Sequence, residues 1–262
     1  MAINFYARVK NHAEKLYVCD LPCINVLRDE EYYFPRGIFY LGDSLPQLIV
    51  MGKNPGHRIE ELDEKRSSYE EAVKFELMCF KIMKGVNFRF HIRLLQYLEY
   101  FINSNYLNYQ EAKERRVEIT EDVFTKVYKT NFIKCSTPNE QEKFSKLKTE
   151  ISNCVNNYLK VELDYCQNPP ILFLGNESYY EFHRQIPDYP NRVAKIKHPS
   201  YPYRKEDEET ELENVKPVYG TLKPAGTWNP IIINYKHMWQ IIKDALRTKR
   251  FIDKVKVCSG IG

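Results

Sequence analysis

Several features that would settle a function class at once are missing from this chain of 262 residues. There is no G-x-x-x-x-G-K-[S/T] loop and no G-x-G-x-x-G turn, so the usual phosphate-cradling sites are excluded and no nucleotide cofactor is expected. No window is apolar over enough residues to cross a bilayer. The opening MAINFYARVKNHAEK has no apolar core of the signal-peptide kind, so a cytoplasmic protein without a membrane partner is expected. Internal repeats and low-complexity tracts are absent. So is a strong excess of either charge: 39 Lys and Arg against 35 Asp and Glu leave a net charge of +4. Such a balance permits nucleic-acid binding without arguing for it, because no dense basic tail is present.

What is present is a chain rich in core-forming residues. Hydrophobic residues make up 43%, with 20 Tyr and 14 Phe, and the length suits one large α/β domain. Four short apolar runs read as buried strands, each closed by a polar or turn signal: 47–51 (QLIVM), 126–133 (KVYKTNFI), 171–175 (ILFLG) and 192–197 (RVAKIK). Helical patterns lie between them, over about 59–84, 88–102 and 139–163, then a shorter one from Gly175 to the Pro187 turn and a last one over about 236–249. Strands alternating with helices predict a three-layer α/β/α domain around a central, mainly parallel four-stranded sheet. The acidic run KEDEETELE (205–213) reads as a solvated segment.

Ligands on such sheets bind beyond the carboxyl ends of the strands. Four segments follow those ends: GKNPG after the first strand, TNFIKC late in the second, GNES after the third and KHPSYPYR after the fourth. GKNPG stops a buried run on an asparagine, Asn54, framed by Gly52, Pro55 and Gly56. Alone it also reads as an ordinary strand exit. HPS puts His198 and Ser200 either side of a turn proline.

Seven cysteines (Cys19, Cys23, Cys79, Cys135, Cys154, Cys166 and Cys258) do not suggest a disulfide framework in a protein expected to be cytoplasmic. Most lone cysteines are small core residues. CDLPC differs, because a close pair plus two distant cysteines is a common way to hold a metal or an iron–sulfur cluster.

Taken together, the four segments resemble the uracil-DNA glycosylase superfamily. GKNPG looks like its first motif in the G-x-N-P-G form of mismatch-specific uracil/thymine glycosylases, and HPS looks like its second. VYKTNFIKCSTP (127–138) resembles a segment of the iron–sulfur, family-4 type. CDLPC lies where that type carries its first cysteine pair, and ILFLG matches its third strand. The resemblance covers about residues 17–205, within one domain spanning 1–262. From about residue 206 on, the chain carries an extension with no match.

The resemblance implies a monofunctional DNA glycosylase that flips a uracil or 5-modified pyrimidine out of DNA and hydrolyses its N-glycosidic bond. Asn54 would position a water, since an amide cannot accept a full proton, and His198 would hydrogen-bond a carbonyl of the leaving base. Asn131 would read the base edge, and Gly52, Lys53 and Gly56 would line the pocket. Phe88 would stack on the base, with Phe90 as a rival because the alignment slips by one residue. Ser200 and Arg204 would contact phosphate, and Tyr201, Pro202 and Tyr203 would form the wedge that fills the vacated stack. Cys19, Cys23, Cys135 and Cys154 would ligate a structural [4Fe–4S] cluster, with Cys166 as a substitute ligand. The first pair departs from the family, being C-x₃-C rather than C-x₂-C.

Two further departures concern substrate. Lys53 replaces a family-4 glutamate, and Gly56 stands where family-1 enzymes carry a tyrosine that blocks the pyrimidine 5-position, leaving that edge open. A monomer acting on DNA at the nucleoid is expected, in base excision repair or in defence against phage DNA carrying modified bases. A catalytically inactive DNA-binding module with the same fold is the alternative, and a nucleotide-processing enzyme unrelated to DNA is a third reading.

Overall fold

The computed structural model describes residues 5–26, 37–55, 68–81, 86–103, 105, 107–137, 143–196 and 198–199, with only the backbone of residues 86–88. Gly56, Ser200, Tyr201, Pro202, Tyr203, Arg204, the acidic run and the expected helix over 236–249 lie outside the described residues.

Four strands, β1 (Leu48–Gly52), β2 (Val127–Asn131), β3 (Ile171–Leu174) and β4 (Val193–Ile196), form one parallel sheet in the order β2-β1-β3-β4. Helices flank it, as the alternation of strand and helix patterns requires. β1 and β3 are buried along their whole length. That explains why they read as unbroken apolar runs, because a parallel sheet is covered on both faces. β2 shows which layer lies on which side. Lys129 reaches Glu76 of α2 (Tyr69–Lys81) at 3.0 Å. Thr130 instead reaches Glu162 of α7 (Lys160–Tyr165), at 2.7 Å, on the opposite face.

Helices α1 (Phe5–Tyr17), α4 (Tyr109–Glu114) and α5 (Arg116–Val123) add to the predicted set, and α3 (Val86–Asn103) falls where the pattern over 88–102 indicates. Of the pattern over 59–84, residues 59–67 and 82–84 lie outside the described residues and the described part is α2; the pattern over 139–163 is not a single α-helix. α2 starts at Tyr69, where Ser68 caps it by accepting from the Glu71 N–H at 3.3 Å. The pattern over 139–163 becomes a 3₁₀ turn (Phe144–Lys146), then α6 (Lys148–Cys154), a π turn (Val155–Leu159) and α7. The π turn adds a residue to the helical repeat and shifts the inward face partway along the run. α8 (Asn176–Gln185) follows β3 directly.

The strand over 126–133 also ends early, at Asn131. Its continuation still clings to β1: the Phe132 and Ile133 N–H groups donate to the Gly52 and Lys53 carbonyls at 2.9 and 2.8 Å. On the outer edge of β2, Phe39 pairs antiparallel with Lys129 through two 2.9 Å hydrogen bonds. Phe39 is pinned there by Phe80 and Phe124, whose rings pack at 6.1 and 4.6 Å.

Below the end of β2 lies a fully buried ion pair. Lys134 and Glu162 both have 0% exposure and meet at 2.7 Å, while Thr130 donates to the same carboxylate and His12 of α1 approaches it at 3.3 Å. Burial raises the Glu162 pKa, but the Lys134 charge and the His12 contact outweigh it and hold the carboxyl below its ordinary 4.5. With the folded value depressed, the pair's contribution is present above pH 4.5 and is lost as pH falls through the folded value. Removing one partner strands the other. Lys134→Met should therefore cost about 3–5 kcal/mol in chemical denaturation, and adding Glu162→Leu should recover most of that loss. A single variant as stable as the parent would contradict this reading of the pair.

Candidate active site

The loops beyond the four strands converge through a chain of contacts. In the β1–β2 register, Gly52 stands beside Asn131. On the other side of Asn131, two residues before the Phe39 bridge, comes Gly37. The Asn131 side chain lies across both glycines. A Cβ on Gly37 would fall 2.2 Å from its Nδ2, and one on Gly52 would fall 2.4 Å from its Oδ1. Gly37 also has φ +108°, a conformation L side chains rarely adopt, so the position is restricted twice over. The residue is only 7% exposed, and among the described residues its side-chain amide has no hydrogen-bond partner. The amide is therefore left to solvent or to a ligand at this strand end.

Asn54, two residues past Gly52, is half-buried. Its Nδ2 donates to Thr137 Oγ1 and to the Pro55 carbonyl, each at 3.2 Å. Both amide hydrogens are therefore spent inside the protein, and Oδ1 is left as the acceptor. Thr137, whose role carries no sequence signal, is fully buried and sits at the end of the second-strand segment. Between Gly52 and Asn54, Lys53 pairs with Glu177 in the first turn of α8 at 2.7 Å and lies 5.3 Å from the centre of the Phe144 ring.

His198 comes next to Gly175, where an added Cβ would touch the His198 Cβ at 4.0 Å. Its ring stacks on Phe90, with centroids 5.3 Å apart and planes 29° apart. Phe90, one of the two phenylalanine candidates, is thus brought to the second motif. Phe88 precedes it on α3, with its side chain outside the described residues. One turn on from Phe90, buried Arg93 donates to the Pro199 carbonyl at 3.0 Å. So α3 grips both residues of the HP turn. Arg93 carries no sequence signal beyond its i+3 spacing from Phe90.

His198 keeps substantial accessible surface, yet burial among the surrounding groups lowers its pKa below the ordinary 6.5. One face of the ring is covered by Phe90 and its Cβ lies by Gly175, while the rest of the side chain stays accessible. The imidazole is then neutral at pH 7, able to donate from one nitrogen.

The cysteines partly gather. The loop after α1 docks on α6, where the Ile24 and Asn25 N–H groups donate to the buried Glu150 carboxylate at 3.1 and 3.0 Å, and Asn153 reaches Cys23 Sγ at 3.5 Å. Burial pushes the Cys154 thiol up to about 12, with Cys135 and Cys23 adding to the rise. Those three sulfurs are therefore within electrostatic reach of one another. Burial and the Glu162 charge raise the thiol of Cys166, which follows the last turn of α7. All the described cysteines are free thiols, and among the described residues no three His, Cys, Asp or Glu side chains close up as a metal-holding group.

No protein-family model matches this chain, and no curated protein matches it. The geometry of the site therefore carries the functional reading.

The environment of His198 can be checked apart from any activity. By NMR, its imidazole should titrate with a midpoint below 6.5, and Phe90→Ala should move that midpoint up towards 6.5 by uncovering the ring. A parent midpoint at or above 6.5 would contradict this burial of the ring.

Proposed function

We propose that this protein is a monofunctional DNA glycosylase acting on uracil or a 5-modified pyrimidine. The observation that carries the proposal is the buried Asn131 amide laid across two glycines, without a partner among the described residues, at the strand ends that also present Asn54 and His198. A planar amide offers one donor and one acceptor side by side, which is what a pyrimidine edge accepts. The reaction needs little more: somewhere to hold the extruded base, a donor where negative charge develops on it, and a water under the sugar.

In the proposed mechanism the C1′–N1 bond breaks and its electron pair leaves with the base. His198, neutral at pH 7, donates a hydrogen bond to the carbonyl oxygen where that charge collects. Asn54 Oδ1 accepts a hydrogen bond from a water and directs its oxygen to C1′. Because Asn54 cannot take a full proton, the water attacks late, on a sugar cation already formed, and its proton is released to solvent. The products are an abasic site and the free base. The rigidity of the site serves this chemistry: the Thr137 bond fixes the Asn54 amide, and the Phe90 stack and the Arg93 bond fix the HP turn. DNA would be the partner, with the segment from Ser200 to Arg204 against its backbone and stack.

A [4Fe–4S] cluster on Cys19, Cys23, Cys135 and Cys154 belongs to the same proposal as a structural element. The donor chemistry suits it, in that the CDLPC loop docks beside Cys154 and three of the four thiols sense one another. Such a cluster would tie that loop to the second-strand segment, and no catalytic step passes through it.

The test offers oligonucleotides carrying uracil, a thymine mismatch, 5-hydroxymethylcytosine or its glucosylated form, and probes them for abasic sites. Release of at least one base is expected. Asn54→Ala and His198→Ala should each lower it by about 10²-fold or more while leaving the melting temperature near the parent value. Tight binding without release from any of them would instead favour the inactive DNA-binding module.

A further inference from the structure

Resting on the glycosylase reading, we infer that Asn131 reads its base with either polarity, so that the site seats cytosine-type as well as uracil-type pyrimidines. Uracil and thymine present an N3–H donor beside an O4 acceptor. Cytosine presents the reverse, an N3 acceptor beside an N4 amino donor. An amide whose oxygen and nitrogen are each committed to a protein partner matches one pattern and rejects the other. Rejection of that kind is strong, because the wrong base leaves buried polar groups unpaired.

Nothing described commits the Asn131 amide. Neither Oδ1 nor Nδ2 has a hydrogen-bond partner among the described residues. Its two ends meet the same kind of neighbour: Nδ2 faces Gly37 and Oδ1 faces Gly52, and neither glycine has a side chain to prefer one end. A half-turn about the bond from Cβ to the amide carbon exchanges an oxygen and an NH₂ of similar size. The close glycines hold the plane of the amide, so the half-turn restores the same plane with donor and acceptor interchanged. Asn54 shows the contrast within one site, since its amide is tied through Nδ2 to Thr137 and to Pro55. The site thus fixes the polarity of the amide that faces the water and leaves open the polarity of the amide that faces the base. The O2 carbonyl next to the glycosidic nitrogen is common to both base types, so His198 has the same target in either case.

Binding is the cleaner readout, because cytosine and uracil differ as leaving groups. The full-length chain is titrated with single-stranded oligonucleotides containing one 2′-fluoroarabino-uridine or one 2′-fluoroarabino-cytidine, which resist hydrolysis and carry no pairing cost. The two Kd values should agree within about threefold, and Asn131→Ala should weaken both by at least roughly tenfold. Among the described residues Asn131 makes no side-chain hydrogen bond, so the variant should melt with the parent. A tenfold or greater preference for either analogue, or no change on Asn131→Ala, overturns the dual reading alone. Failure of both analogues to bind better than an oligonucleotide with an abasic analogue at that position overturns the glycosylase reading beneath it.

Discussion

Asn131 can lie across the carboxyl end of the sheet only because the residues beside it on both sides, Gly52 and Gly37, have no Cβ. The constraint is steric and two-sided: a methyl group at either place would occupy the amide. Much of the site follows from it. Gly52 must end β1, so Lys53 and Asn54 begin the loop at the level of Asn131. The bonds from Phe132 and Ile133 back to Gly52 and Lys53 then keep the two loops in register after the ladder ends. Gly37 must adopt its positive φ just where the edge segment turns in, and the aromatic packing around Phe39 holds that segment against β2.

The ion pair of Lys134 and Glu162 anchors the same region from the opposite face. A buried pair of this kind adds little net stability over apolar residues of the same size, but it tolerates no loss of one partner. It fixes the turn after Asn131 against α7, and through His12 against α1. The Asn131 amide is thus set between rigid neighbours on both sides while forming no bond itself among the described residues. That arrangement leaves the amide uncommitted and held in place, which under the proposed function makes it available to an incoming base edge.

Strand positions are legible in the sequence because β1 and β3 are covered on both faces and read as unbroken apolar runs. Asn54, Asn131 and His198 are legible because each stands at a strand end within a short turn signal. Gly37 is not, since a lone glycine after PR carries no sign of the left-handed backbone or of the amide it admits. Arg93 and Thr137 are hidden for another reason: their roles depend on contacts with Pro199 and Asn54, far away in sequence. The place of Phe90 beside the second motif shows only through the stack of His198 upon it. The pattern over 139–163 reads as one α-helix, whereas a 3₁₀ turn at Phe144–Lys146 precedes the helical run that begins at Lys148, and a π turn at Val155–Leu159 shifts that run's inward face.

The most direct measurement is a crystal structure of the full-length chain bound to DNA carrying a single 2′-fluoroarabino pyrimidine. The proposed function requires the base extruded from the stack, with its edge within hydrogen-bonding distance of the Asn131 amide, its O2 facing His198, and a water on Asn54 Oδ1 below C1′. A base left stacked in the duplex, or DNA bound away from the carboxyl ends of the strands, would contradict it.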